Sequence, residues 1–310
     1  MPYQEPDYLP WDGRRVPITF VGGYLGAGKT TAINAVLAQA DQPVAVIVND
    51  VGAVNIDAAL IRRRHGDTIE LTNGCICCSS IEEMGAAFDL LRSRATPPDH
   101  VLVELSGVAE PERMLPWGAS AGFALDGLVV VVGADQLTAE DDLPDWVRAH
   151  LRNQVSAADL LLLSRTDLVD PAAVDRARAE LGRLAPGTPV YPAGPDQLGT
   201  GAVGRFLALG GRAPAGPPAG AVQPSLFDAH RTCVVPIPVG LERAALAAWL
   251  DAELAGADGT VVRAKGVAHT VDHGPVLIQV VGRRRELDPL PGPERQPATD
   301  LVVITLPGEG

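Results

Sequence analysis

An apolar run from Val16 to Val21 delivers the chain into Gly23-Tyr24-Leu25-Gly26-Ala27-Gly28-Lys29-Thr30, and a helical stretch from Lys29 to about Gln39 follows. This octet satisfies the G-x-x-x-x-G-K-[ST] pattern in its required setting of strand, glycine-rich turn and helix. In such a loop, backbone N–H groups and the helix N-terminus wrap a row of phosphates. Lys29 is placed to reach the β- and γ-phosphates, and Thr30 to ligate Mg²⁺. Gly23, Gly26, Ala27, Gly28, Lys29 and Thr30 therefore form the expected phosphate cradle.

Further apolar runs recur at Val44–Val48, Ile69–Leu71, Val101–Leu105, Gly127–Val132 and Leu160–Leu163. Helical patterns lie between most of them, notably over Ser80–Arg94, Asp145–Gln154 and Ala172–Leu184. Ser79 or Ser80 is a plausible cap for the first, with Glu82-Glu83 in its opening turn. This alternation predicts an α/β fold with a mostly parallel sheet covered by helices on both faces. From Gly204 to Pro224 the chain is rich in Gly, Pro and Ala and reads as a linker. Beyond it, strand patterns at Arg231–Pro238, Val261–Arg263, Val276–Val281 and Leu301–Leu306, with a helix at Leu241–Leu254, predict a smaller α+β domain. The expected organisation is a flexible tail at 1–15, a phosphate-loop domain at 16–203, a linker at 204–224 and a C-terminal domain at 225–310.

The chain has 310 residues and a formal net charge of −13, which argues against a phosphate-backbone partner, since there is no net basic field to attract nucleic acid. No apolar run is long enough to cross a membrane. Met1–Pro10 lacks the basic and apolar regions of a signal peptide, so a cytoplasmic location is expected. Cations are almost all arginine; the only lysines are Lys29 and Lys265. Lysine is a compact point charge and arginine a planar fork. A lysine kept at position 29 points to a site that demands that shape.

Three of the four cysteines fall within four residues, Cys75-Ile76-Cys77-Cys78, while Cys233 stands alone and reads as structural. Bunched cysteines do not make a disulfide framework, and a reducing compartment suits them. Thiolates select soft or borderline ions such as Zn²⁺, and cobalt or nickel are compatible with fewer sulfurs. A position just before a helix N-terminus favours the thiolate form. Three ligands leave one coordination position open for water, a partner's residue or an acid such as Asp50, which suits transfer better than a closed structural site.

Glu104 ends an apolar strand and is followed three residues later by Gly107. An acid there can hold a magnesium-bound water, and the glycine N–H can sense a γ-phosphate. Asn49-Asp50-Val51-Gly52 leaves a strand at the same expected edge. Asp50 could orient the attacking water, touch Mg²⁺ or ligate a second metal; a plain Asn-Asp turn is the bland alternative. Lys29, Asp50 and Glu104 form the expected catalytic set. Leu160–Leu163 runs into Ser164-Arg165-Thr166-Asp167 where base-recognising GTPases carry Asn-Lys-x-Asp. Asp167 is in place to accept from the guanine N1–H and exocyclic amine, and Arg165 to stack over the base. His269 and His273 flank a strand-and-turn stretch rather than one face of a helix; they read as surface histidines, with a metal-binding pair as the alternative.

Together these residues resemble the CobW-type metallochaperone GTPases, of the same class as HypB and UreG. The resemblance runs through residues 23–31, Asn49-Asp50 with Gly52, Gly74 to Cys78, Glu104 to Gly107 with Glu110-Pro111, Gln154 with Ala158-Asp159, and Arg263 to Gly266. It implies a SIMIBI-type P-loop GTPase domain with a smaller CobW-like C-terminal domain. It also implies slow GTP hydrolysis with Mg²⁺, metal bound at the triple-cysteine motif in the nucleotide-loaded state, and delivery to a client metalloprotein. It extends the nucleotide-binding set to Thr31. The chain departs from the family pattern at Asp50, where Glu is usual, at Ser164-Arg165, and in lacking a histidine-rich tract.

The expectation is thus a GTPase that carries one transition metal, zinc in first place, in Cys75, Cys77 and Cys78; a homo-oligomer is compatible with it. Rivals are a cobalt or iron insertion factor for cobalamin synthesis or nitrile hydratase, a nucleotide-gated thiol sensor without metal transfer, and an ATP-dependent small-molecule kinase.

Overall fold

The computed structural model describes residues 10–48, 68–70, 81–138, 145–194, 198, 200–211, 231–282, 284–290 and 300–306. They fall into two compact units. In the first, β1 (Val16–Gly22), β2 (Val44–Val48), β3 (Thr68–Glu70), β4 (His100–Glu104), β5 (Phe123–Gly133), β6 (Leu160–Ser164) and β7 (Val190–Ala193) form one sheet. Its order is β3-β2-β4-β1-β5-β6-β7, and every neighbouring pair is parallel.

The strands are largely apolar because both faces are covered, and successive side chains point to opposite faces. Val101, Val103, Leu128, Val130, Leu161 and Leu163 pack on one side with Met84, Phe88, Leu91, Val155 and Leu181 from the helices Ile81–Arg92, Asp145–Ser156 and Pro171–Leu184. Leu102, Val129, Val131, Leu160 and Leu162 pack on the other with Ile33, Val36, Val203 and Phe206 from the helices Lys29–Gln39 and Thr200–Phe206. The sheet therefore holds the ends of β1, β4, β5 and β6 rigidly side by side, where the phosphate loop begins.

Two expectations change at the edges of this unit. The stretch read as a tail is packed from residue 10: Pro10 is buried, Trp11 stacks edge-on against Phe123, and its indole N–H donates to the Arg94 carbonyl at 3.0 Å. The stretch read as a linker from 204 likewise begins as core. Phe206 is fully buried, and the Leu209 and Gly210 amides donate to the Asp126 carboxylate at 3.0 and 3.1 Å. Flexible composition was outweighed in both places by one large aromatic anchor.

The second unit is an antiparallel sheet of β8 (Arg231–Val235), β9 (Thr260–Thr270), β10 (Gly274–Val281), β11 (Arg284–Pro289) and β12 (Leu301–Leu306), ordered β11-β10-β9-β12-β8. The helix Arg243–Ala255 lays Leu246 and Leu250 on Ala264, Ile278, Val280 and Val303. The short strand read at Val261–Arg263 is the opening of the eleven-residue β9, whose pattern Lys265 and Gly266 interrupt in the sequence. Gly266 fits there because an added Cβ would stand 3.0 Å from Ile237 and 3.2 Å from the Asp300 carbonyl. Cys233 lies exposed on the edge strand β8, so it does not pack the core as a structural cysteine would. Among the described residues no helix is long and apolar enough to cross a membrane.

Candidate nucleotide-binding site

The phosphate loop leaves the carboxyl end of β1, between β4 and β5. Gly23 lies so close to β5 that a Cβ would come within 2.2 Å of the Val131 carbonyl oxygen, and its φ of 130° is one that side-chain-bearing residues avoid. Gly26 and Gly28 also hold positive φ, at 74° and 97°. Gly28 is the N-cap residue of the helix that Lys29, Thr30 and Thr31 open.

Lys29 is buried, and its Nζ donates to the carbonyls of Gly23 at 2.9 Å and Tyr24 at 3.3 Å. The loop is braced from outside as well. Gln136 Nε2 donates to the Leu25 carbonyl at 2.7 Å, and Ser164 Oγ donates to the Ala27 carbonyl at 2.6 Å. In a trans peptide the carbonyl and the next N–H point opposite ways. Anchoring Leu25 O and Ala27 O therefore turns the Gly26 and Gly28 N–H groups away from the braces, as a phosphate cradle requires.

Glu104, at the end of β4, stands level with Val21 of β1 and is buried. Thr30 Oγ1 lies 3.0 Å from its Oε1 and 3.3 Å from its Oε2. A hydroxyl beside a carboxylate is a hard oxygen donor set, which fits Mg²⁺ rather than a soft ion. Three residues on, Gly107 packs against the phosphate loop: a Cβ there would stand 2.5 Å from the Leu25 backbone nitrogen.

At the end of β6, Arg165 sits in the left-handed region with φ of 55°, and its guanidinium pairs with Asp135 at 3.1 Å. Asp167 is exposed in the short turn Thr166–Leu168 that follows. Ser164, which departs from the usual asparagine, also stands with its Oγ 3.2 Å from the Val132 carbonyl of the neighbouring β5. Gln136 and Asp135 were not singled out from the sequence. Their only signal is position, just past the carboxyl end of β5, where a parallel sheet gathers its ligand contacts.

Asp50, Cys75, Cys77 and Cys78 lie outside the described residues. The strands that lead toward them, β2 and β3, end level with Glu104: Val48 is in register with both Glu104 and Glu70. His269 is exposed on β9. His273 sits in the β9–β10 turn, with Nδ1 2.9 Å from Asp272 Oδ2. Among the described residues no three His, Cys, Asp or Glu side chains converge on a metal-sized site.

Residues 17–192 match the family described as CobW/HypB/UreG, nucleotide-binding domain. Residues 230–309 match the Cobalamin synthesis protein cobW C-terminal domain. Similar curated proteins include a "Zinc chaperone CobW" from Sinorhizobium sp, 32% identical over 54% of this chain and 55% of its own. Another is the "Zinc chaperone YjiA" of Escherichia coli strain K12, 33% identical over 57% of each chain. The chain thus spans about half the length of the curated relatives it matches. Among solved structures, a Zn(II)-bound YjiA GTPase from E. coli is similar over 94% of this chain and 95% of its own, with 20% identity and a TM-score of 0.46. The match over residues 17–192, coinciding with the braced phosphate loop, Thr30 and Glu104, shows that the chain belongs to the CobW/HypB/UreG family.

Proposed function

We propose that this chain is a GTP-hydrolysing metallochaperone that binds a transition metal, zinc in first place, through Cys75, Cys77 and Cys78 and yields it to a client metalloprotein under nucleotide control. The observation that carries the reading is the pairing of Thr30 with the buried Glu104 at 3.0 Å, next to a phosphate loop whose lysine is already drawn in. Family membership supports the nucleotide, and the zinc-chaperone names of similar proteins support the ion.

In this reading Lys29 and the N–H groups of Gly26 and Gly28 take the phosphates. Mg²⁺, when bound, would neutralise phosphate charge and be held by the Thr30 hydroxyl and the Glu104 carboxylate. The Gly107 N–H responds to the γ-phosphate, and Asp50 orients the attacking water. Asp167 takes the guanine edge, with Arg165 held by Asp135 beside the base. Cys75, Cys77 and Cys78 hold the cargo, and the nucleotide can shift metal affinity only as far as it binds the two conformations differently.

Replacing all three cysteines by serine tests the assignment. Zinc affinity is expected to fall at least about 100-fold, the scale set by losing thiolate ligands, while GTP binding stays within about twofold. Unchanged zinc affinity with a lost response to oxidants would contradict metal transfer and favour a thiol sensor.

A further inference from the structure

The turn that carries Gly107 is held from behind by two buried polar side chains that the nucleotide reading leaves without a task. Ser106–Ala109 is closed by the Ala109 amide on the Ser106 carbonyl at 3.0 Å. Its outward carbonyls face the helix Asp145–Ser156, whose buried side is apolar except for His150 and Gln154, one turn apart. Gln154 Nε2 lies 3.1 Å from the Ala109 carbonyl, 3.5 Å from the Gly107 carbonyl and 2.8 Å from His150 Nε2. His150 Nε2 is itself 3.3 Å from the Gly107 carbonyl. The two residues are only 1% and 3% exposed.

An amide nitrogen has two protons, and here three acceptors stand around it. With His150 Nε2 unprotonated, Gln154 serves the imidazole and Ala109 well, and Gly107 only at long range. With His150 Nε2 protonated, that N–H serves the Gly107 carbonyl but opposes the Gln154 amide. The Gly107 carbonyl is thus the contested acceptor, and Gln154 Oε1 is buried with no hydrogen-bond partner. Leaving a buried amide oxygen unbonded costs about 1–3 kcal/mol, a penalty that an exchange of partners can relieve. On the same side, the ring of Tyr24 from the phosphate loop meets the His150 imidazole edge-on with centroids 6.2 Å apart. Burial keeps the Tyr24 phenol neutral. The helix therefore touches both the phosphate loop and the Gly107 turn.

We propose that His150 and Gln154 are positioning residues for the γ-phosphate response: they set where Gly107 stands against the phosphate loop, and their exchange of partners carries its displacement into the Asp145–Ser156 helix. This rests on the nucleotide reading above. Gly107 stands where even a Cβ would clash with Leu25, so a small shift of its carbonyl changes what the phosphate loop meets.

The test compares wild type, Gln154→Leu and His150→Gln for affinity to GDP, affinity to a nonhydrolysable GTP analogue, and the kcat and KM of GTP hydrolysis. Gln154→Leu is expected to leave GDP affinity within about twofold, and to lower kcat and the GTP-analogue preference about tenfold, the effect of one lost buried hydrogen bond. Hydrogen exchange on the wild-type protein supplies a reading independent of any variant's folding: the amides of 145–156 should exchange more slowly with the GTP analogue than with GDP. Equal losses for both nucleotides, unchanged kcat and preference in folded variants, or identical exchange in the two states would overturn the proposal alone. A wild type that neither binds nor hydrolyses GTP would overturn the nucleotide reading and this inference with it.

Discussion

Thr30 Oγ1 and Glu104 Oε1 stand 3.0 Å apart although 74 residues separate them, because parallel pairing of β1 with β4 brings Val21 level with Glu104. The first turn of one helix and the end of a neighbouring strand thereby present a hydroxyl and a carboxylate to one point. Glu104→Gln keeps the size and loses the charge. It should reduce Mg²⁺-dependent GTP hydrolysis about 100-fold or more, since a hard cation needs the anionic oxygen. Magnesium-free nucleotide binding should change little. Hydrolysis rates measured across a magnesium titration check this.

Gly107→Ala should push the turn away from the phosphate loop, because the new methyl would fall 2.5 Å from the Leu25 nitrogen, and backbone cannot give as a flexible side chain can. Affinity for the GTP analogue is expected to fall about 5- to 150-fold, the range of an overpacking cost of roughly 1–3 kcal/mol. Calorimetric titration of the GTP analogue measures it directly.

Buried His100 hydrogen-bonds Thr19 at 2.8 Å beside Asp126. Burial lowers its pKa to about 4, and the negative charge of Asp126 opposes the shift only in part. The folded chain thus refuses a proton that the unfolded chain accepts below its ordinary value near 6.5. Stability from this residue is complete above that pH and is lost as pH falls toward 4, by roughly 3 kcal/mol in all. Urea unfolding at pH 7 and pH 5 should show about 2 kcal/mol of loss in wild type and a smaller loss in His100→Asn.

Asp167→Ala should erase the preference for GTP over ATP. A hydrogen bond to a charged group is worth about 1.5–3 kcal/mol, so losing the equivalent of one such bond is expected to lower selectivity about 10- to 100-fold. Asp135→Asn, which weakens the clamp on Arg165, should lower affinity for both nucleotides instead. Competition binding with the two triphosphates distinguishes the effects.

The parallel sheet was legible in the chain because strands buried on both faces are continuous apolar runs, as in Leu160–Leu163, and the phosphate loop marks the end of the central one. The positions of Lys29 and Thr30 were legible from the local loop pattern, and that of Glu104 from its place at the end of an apolar strand. Gln136, Asp135 and His150 were not, since they serve the site across 30 to more than 100 residues of sequence and carry no local pattern. β7 escaped as well; it is a short edge strand containing Pro192, which an edge position tolerates. The packed ends of the first unit were hidden by composition: a Gly-, Pro- and Ala-rich segment looks loose until Phe206 is seen filling the core.

The central claim is coupling between nucleotide state and metal affinity. A competition titration of Zn²⁺ against a chelator of known affinity, run on the full chain with Mg²⁺ and either a nonhydrolysable GTP analogue or GDP, tests it most directly. The account predicts zinc binding at least about tenfold tighter with the GTP analogue, within the usual range of coupling energies. Equal zinc affinity in the two nucleotide states would contradict it.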